Sequence, residues 1–69
     1  MDKFTGINGE SLRRLRKERA LSQQDLERIS GVAQHTISVL ESGQRGAKAS
    51  TIRKLAEALG VKPKEIIRI

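Results

Sequence analysis

Cysteine, tryptophan and tyrosine are absent from the 69 residues, and phenylalanine, proline, methionine and histidine occur once each. Without cysteine there is no disulfide, and nothing points to an oxidising compartment. A lone histidine, no spaced pair of carboxylates and no glycine-rich phosphate loop leave nothing from which to assemble a nucleophile, an acid–base pair or a metal site. An enzyme is therefore not expected, nor a cofactor or a small-molecule ligand. No apolar signal stretch opens the sequence, and no apolar run approaches the ~20 residues of a membrane span. The cytoplasm is the expected location. The length suits one small domain over residues 1–69, with a limited core and marginal stability.

Positive charge, by contrast, is plentiful. Fourteen Lys plus Arg stand against eight Asp plus Glu, a formal net charge of +6. Such an excess on a short chain favours a polyanionic partner, because neutralised phosphates release counterions and the field steers association. Basic charge alone is weak evidence, so the argument turns on where it sits.

The stretch Ser22-Gln23-Gln24-Asp25-Leu26 carries a helix start. Ser22 suits an N-cap and Asp25, three residues on, completes a capping box with Asp in place of Glu. Leu26 and Ile29 provide an apolar edge, and Ser30-Gly31 breaks the helix with a residue that tolerates positive φ. A second short helix follows at once. At about 100° per residue, Ala33, Ile37 and Leu40 fall on one side with Val32 leading in, while His35, Ser38, Val39 and Ser42 fall on the other and Gln34 lies at the flank. No charged residue occupies that outer face, in a chain that is 32% charged. Amide, imidazole, hydroxyl and methyl groups are what reading base edges needs, since Gln bonds adenine bidentately and an apolar branch meets a thymine methyl. The alternative is a small helix with a mildly polar outside.

Gln23, Leu26, Gly31, Val32, Ile37, Leu40 and Glu41 together resemble the run Q-x-x-L-x-x-x-x-G-V-x-x-x-x-I-x-x-L-E of the lambda-repressor-like (Cro/C1-type, XRE) helix-turn-helix DNA-binding domains. Leu12-Arg13-Arg14-Leu15-Arg16 before it and Leu55 to Val61 after it are similar to the same family, so the likeness runs from Gly9 to Ile67 in one gapless register. It implies an all-α fold, a compact bundle of five short helices, with the helix-turn-helix over residues 22–42 and its second helix in the major groove of double-stranded DNA. The implied function is a transcriptional regulator, a repressor by preference, acting as a homodimer on a palindromic operator. An antitoxin or a protein-interaction module of the same fold is the alternative, because fold does not dictate function.

Roles follow position by position from the resemblance. Gln34, His35, Ser38 and Val39 would read bases. Ser22, Gln23, Ser42, Gln44, Arg45 and Lys48 would hold phosphates, Gln23 at a helix N-terminus that favours anions and also touching Gln34. Arg16 would pair with Glu41, tying the first helix to the third and lying near a phosphate. Two positions depart from the pattern: Glu27 stands where relatives carry Ala, and Ala33 where they carry a capping Ser or Thr.

The flanking segments carry less. Residues 1–7 read as an arm, loosely ordered or packed through Phe4 and Ile7 onto the first helix, with Lys3 its only base. Asn8 and Glu10 start that helix, and Leu12, Leu15 and Arg19 share a face, leaving Arg13, Arg14 and Lys17 as solvated bases. Ala20 replaces the family's Gly at the next joint, which either needs no positive φ there or is strained. Gln24 reads as solvated. In the fourth helix Ile52, Leu55, Ala56 and Leu59 form a core stripe, with Ser50 as its cap and Gly60 as its stop. Pro63 opens a fifth helix, whose Ile66 and Ile67, with Ile69, either complete the core or leave apolar surface at the end through which relatives dimerise.

Overall fold

The computed structural model describes residues 4–68. Four α-helices follow in order: α1 (Gly9–Glu18), α2 (Gln23–Ser30), α3 (Gln34–Glu41) and α4 (Ala49–Leu59), then a three-residue 3-10 turn at Pro63–Glu65. The expected fifth helix is thus reduced to a single turn. Pro63 does open it, but the chain after Glu65 is drawn into an extended pairing with the N-terminal segment and cannot continue as a helix. Lys3 and Ile69 lie outside the described residues.

Each helix begins and ends for local reasons. The Asn8 side chain accepts from Ser11 N–H (3.1 Å), starting α1. At its far end Ala20 adopts φ 56°, so the joint needs the left-handed conformation and an L-residue supplies it under strain. The capping box of α2 is complete: Asp25 N–H donates to Ser22 Oγ and Ser22 N–H donates to Asp25 Oδ2, both at 2.9 Å. Gly31, at φ 80°, turns the chain out of α2, and its N–H bonds Glu27 O at 2.8 Å. α3 starts at Ala33 with no side-chain cap, and α4 likewise at Lys48. Ser50 is therefore inside the first turn of α4, not its cap. The end of α4 closes as a Schellman arrangement, with Val61 N–H on Ala56 O and Gly60 N–H on Glu57 O.

Leu12, Leu26, Ile37, Leu40 and Leu55 are wholly buried and form the centre, where α3 packs between α1 and α2 and α4 packs against α2. Ile7 and Ile66 join them from the two chain ends. Thr5 pairs with Ala47 and Ile7 with Ile67, so residues 5–7 are a strap across the α3–α4 loop and the C-terminal segment. Ile7 is thus the packed residue of the arm, whereas Phe4 remains 64% exposed. Two further expectations are corrected by burial. Ile29 is 54% exposed because α2 meets α3 and α4 through Leu26, and Ala33, ahead of the first turn of α3, is exposed as well.

Arg19 explains itself in this packing. Its Nε donates to Leu59 O (2.6 Å) and one terminal nitrogen to Leu15 O (2.9 Å), placing a cation on the C-terminal carbonyl of α4. An arginine in register with Leu12 and Leu15 thereby stitches α1 to α4.

Candidate nucleic-acid interface

Burial of Ile37 and Leu40 fixes which way α3 faces. The opposite side presents His35, Ser38 and Ser42 to solvent, with Val39 and Gln34 half-buried. Helical spacing puts Gln34 and Glu41 on the flank towards α1, and Thr36 on the flank towards α4. A cleft opens beside each flank.

The first cleft, of about 280 Å³, lies between α1, α2 and α3 and is lined by Arg13, Arg16, Gln23, Ser38, Glu41 and Ser42. Arg16 grips Glu41 bidentately, its Nε donating to Oε2 at 2.6 Å and a terminal nitrogen to Oε1 at 3.0 Å. Its other terminal nitrogen donates to Leu21 O at 2.7 Å. Hydrogen bonding to Glu41 holds the guanidinium above its ordinary pKa, outweighing the opposing effect of burial. Gln23 also turns to Glu41, Nε2 donating to Oε1 at 3.1 Å, so its amide is oriented by the ion pair and not by Gln34. Ser42, expected as a phosphate ligand, spends its hydroxyl hydrogen on the carbonyl of Val39 and in this rotamer offers only acceptor lone pairs. Ser22 is engaged as well. Its oxygen accepts from Asp25 N–H while its hydroxyl serves the Asp25 carboxylate, so a ligand would have to draw it away from that acid.

The second cleft, of about 220 Å³, is bordered by Phe4, Thr36, Arg45, Lys48 and Thr51. Arg45 and Lys48 are exposed, as is Gln44 beside them. The loop that carries them is tied down by the strap: Thr5 N–H donates to Ala47 O and Ala47 N–H to Thr5 O, both at 2.9 Å. Two basic side chains thus stand on a braced loop.

The departures from the family pattern are accommodated locally. Glu27 is exposed, and Arg28 pairs with Asp25 at 2.8 Å instead of with Glu27. Bonds from the Ser22 backbone N–H, the Ser22 hydroxyl and Arg28, in that order, lower the pKa of Asp25 below the ordinary carboxylate value. This keeps a negative charge on the α2 N-terminus that Arg28 balances.

Sequence reading missed three residues of these clefts. Arg13 passed as a solvated base, although its spacing of three from Arg16 puts both on one face of α1 and could have placed it beside the Arg16–Glu41 pair. Phe4 and its neighbour Thr36 are brought together only by the Thr5–Ala47 pairing, for which no local signal exists.

A family described as a helix-turn-helix domain matches residues 9–68. An uncharacterized HTH-type transcriptional regulator, y4dJ of Sinorhizobium fredii, is 41% identical over 59 residues, 86% of this chain and 77% of the relative. The HTH-type transcriptional repressor RghR of Bacillus subtilis is 52% identical over 54 residues, 77% of this chain but only 40% of the repressor's length. Among solved structures, the restriction-modification controller protein C.AhdI from Aeromonas hydrophila superposes with a TM-score of 0.78 at 40% identity, covering 83% of this chain and 86% of that one.

Proposed function

The chain belongs to the lambda-repressor-like (XRE-type) helix-turn-helix domain family, and from that premise we propose that it binds double-stranded DNA sequence-specifically as a transcriptional regulator, a repressor by preference. The observation that carries the reading is the uncharged outward face of α3, set between two clefts that bear basic side chains. A helix with His35 and Ser38 exposed and Gln34 and Val39 half-exposed matches the polar and methyl edges of the major groove. We assign base reading to these four residues. Phosphate contacts fall to Gln23 and Ser22 on one side of the groove, and to Gln44, Arg45 and Lys48 on the other. Ser42 joins the first set only if its hydroxyl turns away from Val39. Arg16 and Glu41 hold the frame.

The proposal extends to a homodimer on a palindromic operator, with half-sites about one helical turn apart. The whole acts as a single DNA-binding domain in the cytoplasm, without catalytic chemistry. None of the helices among the described residues is long and apolar enough to cross a membrane.

Selection from a randomised duplex library, repeated at two salt concentrations, tests this directly. A two-fold symmetric consensus is the expected outcome. Binding without enrichment that vanishes in salt would reduce the interaction to phosphate attraction and sink the regulator reading. Against the selected site, Gln34→Ala should lose ~1–3 kcal/mol of discrimination at one base position, while Lys48→Ala should weaken all sequences alike. Equal losses on selected and random DNA for Gln34→Ala would remove that residue from base reading.

A further inference from the structure

The cleft between α1 and α3 has an unequal distribution of charge. Arg16 and Glu41 neutralise each other there, and the nitrogens of Arg16 are committed to Glu41 and to the Leu21 carbonyl. With only 8% of its surface exposed, Arg16 has little left to offer a ligand. Gln23 retains one N–H, since the other is given to Glu41, and Ser42 directs its hydrogen to Val39. Such a cleft, taken without Arg13, contains a carboxylate, a satisfied guanidinium and a single amide donor. It would repel an anion as readily as hold one.

Arg13 changes that balance. It is exposed, it lines the same cleft as Gln23, Ser38 and Ser42, and it is in none of the ion pairs within 4.0 Å among the described residues. Its neighbours are engaged elsewhere: Arg14 pairs with Glu18 at 3.2 Å, and Arg19 with Glu18 at 3.8 Å. We propose that Arg13 is the phosphate-seating cation of the α1–α3 cleft, placing a backbone phosphate of the bound DNA beside Gln23 and so setting the depth of α3 in the groove. This rests on the DNA-binding reading above and adds α1 to the interface.

The role belongs to positioning, and salt dependence reads it. A guanidinium that meets one phosphate contributes about 0.9 to the slope of log affinity against log salt. Arg13→Ala should lower that slope by about 0.9, which corresponds to an affinity loss of about eightfold at 0.1 M salt relative to 1 M. The loss should be the same on selected and on random duplexes. Arg13→Lys should restore most of the slope, because the charge returns without the fork. Arg14→Ala, which removes an equal charge one residue away from a side chain paired with Glu18, should leave the slope near that of the unaltered protein. Thermal melting of each variant separates binding from folding. An unchanged slope in Arg13→Ala, or equal losses in Arg13→Ala and Arg14→Ala, would overturn the assignment while leaving the DNA-binding reading intact. Absence of salt-dependent DNA binding in the unaltered protein would overturn both.

Discussion

Arg16 and Glu41, 25 residues apart in sequence, are joined by two hydrogen bonds, the shorter at 2.6 Å, with side chains only 9% and 5% exposed. One end of the pair fixes the last turn of α1 and the other fixes the last residue of α3. Gln23 and the Leu21 carbonyl complete the network, so no buried polar side-chain atom among the described residues lacks a partner. A buried pair of this kind contributes little net stability when intact, yet removing one member strands a charge.

Arg16→Ala should therefore destabilise the domain by about 3–5 kcal/mol, the usual penalty for an orphaned buried charge. A domain of this size has a total stability of the same order, so the variant should be substantially unfolded at 25 °C. Replacing both residues, Arg16→Met with Glu41→Leu, should recover most of the loss while abolishing the orientation of Gln23. Urea denaturation monitored by circular dichroism provides the comparison. A single-variant loss under about 1 kcal/mol would show that water compensates the carboxylate.

The α1–α2 joint predicts a change of opposite sign. Ala20 sits at φ 56°, where an L-residue costs about 1–2 kcal/mol. Ala20→Gly relieves that strain but adds unfolded-chain entropy of roughly 0.4–1 kcal/mol. The net expectation is a stabilisation of about 0.5–1 kcal/mol, seen as a rise in Tm of roughly 2–8 °C for a domain this small. A fall in Tm would mean that the alanine methyl makes a contact worth more than the strain.

Much of this architecture was legible because it is local. The capping box of Ser22 and Asp25, the stop at Gly31 and the stripe of Ile52, Leu55, Ala56 and Leu59 each lie within a few residues, where spacing and turn chemistry speak directly. Long-range pairing is what spacing cannot supply. The Thr5–Ala47 bridge holds the N-terminal strap on the α3–α4 loop, and the Ile7–Ile67 bridge draws the C-terminal segment against that strap and shortens the expected fifth helix to one turn. Gln23 points to Glu41 and not to Gln34 because the ion pair brings a carboxylate oxygen within 3.1 Å, a competition invisible in sequence. Ile29 misled for another reason. Its spacing from Leu26 is helical, but eight residues of α2 make too short a stripe to tell a buried position from the rim.

The strap can be tested at the residue that admits it. A Cβ added to Gly46 would stand 2.2 Å from the Thr5 carbonyl oxygen and 2.6 Å from its carbon, both backbone atoms that cannot move aside independently. Gly46→Ala should push residues 4–6 off the loop, at about 1–3 kcal/mol, in line with other overpacked sites. Amide exchange should speed up at Thr5 and Ala47, whose N–H groups make the paired bonds, with little change at Leu26 or Leu55. The phosphate loop loses its brace at the same time, so DNA affinity should fall through Arg45 and Lys48 while base preference at Gln34 persists. Unaltered exchange at both amides would mean the loop shifts to accept the methyl without releasing the strap.

Acid stability follows from Asp25. Its folded-state pKa lies below the ordinary carboxylate value, chiefly because the Ser22 N–H donates to it, with the Ser22 hydroxyl and Arg28 adding to the effect. A depressed carboxylate binds its proton more readily in the unfolded chain than in the folded one. Its contribution to stability is therefore complete above the unfolded pKa and lost as pH falls through the folded one. Melting temperature should be flat in this respect near neutrality and decline through the acid range below the usual aspartate value. Asp25→Asn keeps an oxygen for the Ser22 N–H but has no proton to gain, so its Tm should start lower at pH 7 and fall less on acidification. The two curves should converge at low pH. Parallel curves would assign the acid sensitivity to the other carboxylates and leave the α2 cap as a neutral hydrogen-bonding device.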